Sequence, residues 1–174
     1  ARLFEALTAL PQGGTRLSFL RRRLGTEIEC RGLATLRDLL GRAETGEAAA
    51  LVELRDRVAV NHSCFWREPA HWPILTEHLR PKFLAGARVR LWSAACASGE
   101  EACSMAMAVS ELTASLPPPP RPHDWRILAT DIATAALAAA ASGHYPESAL
   151  GNLPARLRDR YLRPLTRDGQ AGWQ

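Results

Sequence analysis

The most constraining stretch of the sequence is Val89-Arg90-Leu91-Trp92, followed by the small residues Ser93-Ala94-Ala95-Cys96-Ala97-Ser98-Gly99 and a helical pattern from Glu100 to about Leu112. A short apolar run must pair with another strand, and a loop of small side chains lets the backbone turn straight into a helix. The unit then repeats. Pro117 to Pro120, with Pro122, cannot sit in a helix or a central strand. Beyond them, Trp125-Arg126-Ile127-Leu128-Ala129-Thr130 reads as a second buried strand ending in Asp131, and Ala133 to Ala141 as a second helix. Strand, helix, strand, helix at this spacing predicts the start of a parallel α/β sheet with a right-handed crossover. Pro154 at a helix start, with Leu157, Tyr161 and Leu162 inside, predicts one further helix before a polar tail.

The first half has a different period. Leu17, Leu20 and Leu24, then Leu33, Leu36 and Leu40, then Leu51, Leu54 and Val58 each supply one apolar stripe, so residues 1–60 read as a helical subdomain and 61–174 as the α/β domain. The breaks expected between these helices are Pro11 to Gly14, Gly25-Thr26 and Gly41 to Gly46. Arg21-Arg22-Arg23, with Arg16, puts positive charge on the polar side of the second helix, where it meets an acidic helical surface or faces water. A further helix is expected to start at Glu68-Pro69, with Ile74, Leu75, His78 and Leu79 on its apolar side.

Charge and cysteine usage narrow the function classes. Twenty-two basic against 18 acidic residues give a net charge of +4, and Lys82 is the sole lysine. That favours an acidic partner only mildly and does not call for nucleic acid, because arginine and alanine bias also follow from a GC-rich genome. Cys30, Cys64, Cys96 and Cys103 contain no Cys-x-x-Cys pair, which predicts buried free thiols rather than a zinc site or a disulfide framework. No apolar run approaches the ~18 residues of a membrane span, and Ala1 to Leu10 lacks the pattern of a secretory signal, so a cytoplasmic protein is expected.

Open α/β sheets bind ligands at the carboxyl ends of their strands, which directs attention to Ala94–Glu101 and Asp131. The loop has one glycine, Gly99, so the dinucleotide fingerprint Gly-x-Gly-x-x-Gly is missing and a nicotinamide-dependent oxidoreductase is disfavoured. Glu100 and Glu101 place two negative charges where a pyrophosphate would sit on the helix dipole. A neutral or cationic ligand is favoured, and S-adenosylmethionine qualifies, with Asp131 as the carboxylate for its ribose hydroxyls. Two structural readings stand beside this one: Ser98 and Glu101 also fit a capping box, and Asp131 also fits the cap of the following helix.

Three ordered segments then resemble a known family. Asn61-His62-Ser63-Cys64-Phe65-Trp66-Arg67-Glu68 is similar to the Asn-x-Thr-x-Phe-Phe-Arg-Glu segment of the CheR-type chemotaxis receptor methyltransferases. Leu91 to Ser104 resembles that family's Trp-Ser-Ala motif ending in Gly-Glu-Glu-Pro-Tyr-Ser, and Ala129-Thr130-Asp131-Ile132 its Ala-(Ser/Thr)-Asp-Ile. Ala141 to Tyr145 also fits, so the likeness extends from about Leu17 to Leu162.

The resemblance implies a Rossmann-like fold and transfer of a methyl group from S-adenosylmethionine to glutamate side chains on the cytoplasmic helical bundle of chemoreceptors. It implies that Asn61, Ser63, Arg67, Glu101 and Asp131 contact the cofactor, that Arg67 is the catalytic residue, and that Arg21, Arg22 and Arg23 face the acidic receptor. Arg67 would place a carboxylate by a bidentate contact, its alternative being a surface ion pair with Glu68 or Glu77. The chain departs from the family at Ser63, Trp66 and Ala102-Cys103, where threonine, phenylalanine and Pro-Tyr are usual. The family also continues past Gln174 with further strands and a small receptor-binding β-subdomain, so the fold is expected to be incomplete at its carboxyl end, and a non-catalytic cofactor-binding module is the second reading.

Overall fold

The computed structural model describes residues 22, 24–26, 28–59, 62–119 and 122–174. The chain divides into two compact units, Ala1–Val60 with Ile132–Thr134, and Asn61–Asp131 with Ala135–Gln174.

In the first unit, helices α1 (Leu33–Glu44) and α2 (Ala48–Val58) pack through Leu39, Ala43, Ala50 and Leu54. The buried stripe of α1 is Leu36, Leu39 and Ala43, displaced from the expected Leu33, Leu36 and Leu40, and Leu33 is exposed. The helix runs through Gly41 and stops at Gly46, whose φ of 84° lets Glu47 N–H return to the Arg42 carbonyl at 3.1 Å. Arg42 then clasps the Glu47 carboxylate through Nε at 2.8 Å and holds that carboxyl below its ordinary range. The leucines expected at 17 and 20 lie outside the described residues, as do Arg21 and Arg23. Arg22 is exposed.

The second unit is built on two strands. β1 (Val89–Ala94) and β2 (Trp125–Thr130) are parallel, in register from Val89 opposite Trp125 to Ala94 opposite Thr130. Helices α3 (His71–Leu84) and α4 (Glu100–Ala114) cover one face through Leu79, Phe83, Val89, Val109 and Leu112. Helix α3 starts at His71, after Glu68 and Pro69, because Glu68 adopts a φ of 51° and its carbonyl accepts His71 N–H at 2.9 Å. Its buried side is Trp72, Leu79 and Phe83, whereas Ile74 and His78 point to solvent. The second strand is not buried as expected. Arg126, Leu128 and Ala129 are exposed, since among the described residues no further strand or layer covers β2.

Helix α5 (Thr134–Ser142), a 3-10 turn at Glu147–Leu150 and helix α6 (Ala155–Tyr161) follow. Here lies the largest departure from expectation. The supposed polar tail is a β-hairpin, β3 (Pro164–Arg167) with β4 (Gln170–Trp173), closed by Asp168 at φ 51° and Gly169 at φ 77°. Two residues with positive φ form the tight turn whose twist matches that of the paired strands. The hairpin is stitched inward by reciprocal Tyr145–Trp173 backbone bonds of 2.8 Å, and Tyr145 joins Phe65, Met107, Leu150, Leu157 and Leu162 in the second core. At Gly172 a Cβ would lie 2.5 Å from His144 Nε2 and 2.6 Å from the Tyr145 carbonyl, so only glycine fits.

Helix α6 is tied to α4 through Glu111. Its carboxylate accepts from Arg156, from Arg160 at 2.9 Å and from the Tyr161 hydroxyl at 2.9 Å. Partial burial pushes the Glu111 carboxyl up, but these donors outweigh it and hold the group below its ordinary value. A depressed folded-state pKa stabilises the fold above the unfolded value and is lost as pH falls through the folded one. Glu111→Gln should therefore cost about 1 kcal/mol at neutral pH, the arginines being largely solvated. In urea melts that difference should shrink as pH falls below 4.5. Gly172→Ala should cost more, about 1–3 kcal/mol, seen as a lower melting temperature.

Candidate functional site

The site grows from the turn that joins β1 to α4. Ala95, Ala97 and Gly99 all have left-handed backbone, with φ of 62°, 47° and 95°. For alanine such a conformation costs about 1–3 kcal/mol and persists only where the surroundings impose it. Two bonds to the end of β2 do so: Cys96 N–H to the Thr130 carbonyl at 2.9 Å, and Ala97 N–H to Asp131 Oδ2 at 2.8 Å. The alternation of left-handed residues displaces the expected capping box. Gly99 is the cap of α4 and no side chain caps it, the Ser98 hydroxyl binds both Glu100 oxygens at 2.8 Å, and Glu101 Oε1 accepts the buried Ser93 hydroxyl at 2.6 Å. Glu100 is buried and Glu101 exposed, so α4 opens on one inward and one outward carboxylate.

The segment Ser63–Glu68 packs beside α4, against Ser104, Tyr145 and Ala149. Phe65 is fully buried, stacks edge-on with Tyr145 at 4.8 Å, and donates its N–H to the Ala149 carbonyl at 2.8 Å. Trp66 stacks on Trp72 with ring centroids 4.8 Å apart. Arg67 sits between two left-handed residues, Trp66 at φ 55° and Glu68 at φ 51°, and its side chain is exposed. Its guanidinium reaches the His62 carbonyl at 3.5 Å, and among the described residues it forms no ion pair with Glu68 or Glu77. A cavity of ≈ 420 Å³ opens beside it, lined by Arg67, Glu68, His71, Trp72, Leu75, Glu101 and Met105.

The structure thus brings Arg67 and Glu101 to one cavity and ties Asp131 to the turn that precedes Glu101. Ser63 is half-buried on the approach to Arg67 and does not line that cavity. Asn61 lies outside the described residues. Cys96 lies within the turn and Cys103 in the first turn of α4. Burial pushes both thiols up, and at Cys96 the Asp131 carboxylate adds to the effect, so neither is a thiolate at neutral pH. The Cys103 sulfur lies 3.4 Å from the Tyr145 hydroxyl, whose pKa is raised by burial first and then by Cys103. Among the described residues no group of His, Cys, Asp or Glu side chains could hold a metal ion.

Sequence reasoning gave no role to Ser104. Its hydroxyl is completely buried, donates to the Glu100 carbonyl at 2.7 Å and accepts Trp66 N–H at 3.0 Å. Trp72, which borders the Arg67 cavity, was equally silent.

Residues 61–171 match the sequence model of the CheR methyltransferase, SAM binding domain. The chain belongs to the CheR methyltransferase family. It is 34% identical to a probable chemotaxis protein methyltransferase of Rhizobium etli, over 92% of this chain and 60% of that protein. It is 33% identical to a chemotaxis protein methyltransferase of Borreliella burgdorferi, over 84% of this chain and 53% of that protein, and 33% identical to that of Escherichia coli over 68% and 37%. The chain thus spans about half the length of the curated relatives it matches. S-adenosylmethionine is the cofactor of this CheR domain, and the residues present suit it: the turn offers carboxylates and a tight backbone rather than a phosphate cradle. No described helix is long and apolar enough to cross a membrane.

Gly99 sets the geometry of the whole turn. A Cβ there would lie 2.9 Å from Ala140 Cβ and 3.1 Å from the Tyr145 hydroxyl, and φ 95° disfavours any side chain. Gly99→Ala should lose about 2 kcal/mol or more in denaturant titrations and leave the turn unable to close on Ala140.

Proposed function

We propose that this chain carries the cofactor-binding portion of a protein-glutamate O-methyltransferase, which esterifies glutamates on the cytoplasmic helical bundle of chemoreceptors in chemotaxis adaptation. The observation that carries the reading is the left-handed turn held by Asp131 and opening on Glu100 and Glu101, with Arg67 on the cavity that Glu101 lines. Two acids at the start of a helix repel a pyrophosphate and suit a ligand whose reacting centre is positive. Asp131, whose carboxylate stands at the end of β2 beside the turn, would accept the ribose hydroxyls, since an ionised carboxylate is an acceptor only. Ser63, Glu101 and Asn61 would complete the cofactor contacts, as the family likeness implies.

The cofactor supplies an electrophilic methyl carbon on a positive sulfur. The acceptor glutamate, with a reference pKa of about 4.3, is ionised at neutral pH and needs no general base. Held by Asp131, Glu101, Ser63 and Asn61, the cofactor would give its methyl group to that carboxylate oxygen and leave as a neutral thioether. What the protein must provide is alignment and exclusion of water, and Arg67 would supply the first by a two-pronged contact with a carboxylate, of the acceptor or of the cofactor. The receptor would meet the basic segment at Arg21, Arg22 and Arg23, where acidic helices gain steering from positive charge.

Calorimetric titration of the 174-residue chain with S-adenosylhomocysteine tests the cofactor half of the reading. Micromolar binding is expected, and Asp131→Ala should weaken it tenfold or more. A folded chain that does not bind, or a variant that binds like the wild type, would overturn the assignment.

A further inference from the structure

We infer that Ser104 is a positioning residue for Arg67, fixing through one buried hydroxyl where that guanidinium stands relative to the cofactor turn. The inference rests on the proposed role of Arg67 but on separate observations. Ser104 lies one helical turn beyond Glu100 on α4, on the side of the helix that faces inward, and it is 0% exposed. A hydroxyl in such a place would ordinarily be satisfied by the carbonyl four residues back, and the 2.7 Å bond to Glu100 does that. The same oxygen also accepts the backbone N–H of Trp66 at 3.0 Å, across 38 residues of sequence. A hydroxyl has one donor and two acceptor sites, so Ser104 serves both segments at once, and alanine could serve neither.

The consequence lies in the backbone of residues 65–68. Trp66 and Glu68 both hold left-handed conformations that a non-glycine residue does not keep unaided. Phe65 is anchored by the Ala149 carbonyl, and the next amide along, that of Trp66, is anchored by Ser104. Among the described residues Arg67 forms no ion pair with Glu68 or Glu77, and its guanidinium reaches only the His62 carbonyl, at the long distance of 3.5 Å. Its place on the cavity shared with Glu101 is therefore set by the backbone, and the backbone by Ser104. Ser104 is not itself among the residues that line the cavity, and it acts on the site through the segment that carries Arg67.

The experiment combines Ser104→Ala, Arg67→Ala and the double variant in the full chain, read by S-adenosylhomocysteine titration and by amide hydrogen exchange. Alanine suits a helix, so the variant should fold, and circular dichroism checks that it does. Each single change should weaken binding about tenfold, and the double variant should be no weaker than Arg67→Ala, because Ser104 has nothing left to position. In Ser104→Ala the amides of residues 65–68 should exchange at least tenfold faster while those of α4 keep their protection. Losses that multiply in the double variant, or unchanged exchange at 65–68, would overturn the inference. If the wild-type chain binds no S-adenosylhomocysteine, the functional reading falls. The exchange measurement then decides by itself whether Ser104 holds the Arg67 segment.

Discussion

The bond from Ala97 N–H to the Asp131 carboxylate is the contact on which the rest of the site depends. A sheet of two parallel strands gives little rigidity to the loops at its carboxyl end, and the β1–α4 turn adds two alanines in left-handed conformation. Each of those costs about 1–3 kcal/mol, whereas an ordinary neutral hydrogen bond returns only ~0.5–1.5. A hydrogen bond to a charged acceptor returns about 1.5–3, so the carboxylate of Asp131, not the Thr130 carbonyl alone, makes the conformation tenable. Everything downstream follows from that turn. Gly99 can come within contact of Ala140, Glu100 turns inward, Glu101 turns outward, and Ser104 arrives opposite Trp66.

The elements that position the site were legible because their signals are local. The strands at 89–94 and 125–130 and the helices beginning near Glu100, Ala133 and Pro154 are marked by apolar runs, small-residue turns and proline, and each appears within a residue or two of its expected place. What failed depended on facing partners. The Leu33 stripe rotates toward Leu36, Leu39 and Ala43 because α2 packs on that side, and Ile74 gives way to Trp72 because Trp66 stacks there. The hairpin at 164–173 did carry a local signal, Asp168-Gly169 between short runs with Leu165 and Trp173, but the flanking arginines and glutamines masked its alternation. Its strands pair with each other, and β4 is tied to the rest of the unit by the Tyr145–Trp173 bridge, a contact no local pattern encodes.

The same division runs through the site. Glu101 and Asp131 could be read from where they fall, at the ends of strands and the start of a helix. Ser104 could not, since a serine inside an apolar helix stripe looks like a tolerated small residue until its partner 38 positions away is known. The capping-box expectation failed for an instructive reason. It assumes that the residue before the helix is extended, and Gly99 is left-handed, so the Ser98 hydroxyl points at Glu100 and Glu101 is released to Ser93.

That release has a chemical consequence. In a capping box the Glu101 carboxylate would be spent on the backbone of its own helix, and α4 would open on amides partly neutralised from within. With the box undone, Ser93 occupies one oxygen of Glu101 while the residue stays exposed on the Arg67 cavity, and the inward Glu100 is satisfied by Ser98. The helix start therefore presents negative charge outward, the reverse of a phosphate-binding turn built on the same strand-loop-helix frame. One fold element serves two ligand chemistries, and the choice between them is made here by two glutamates and the handedness of a single glycine.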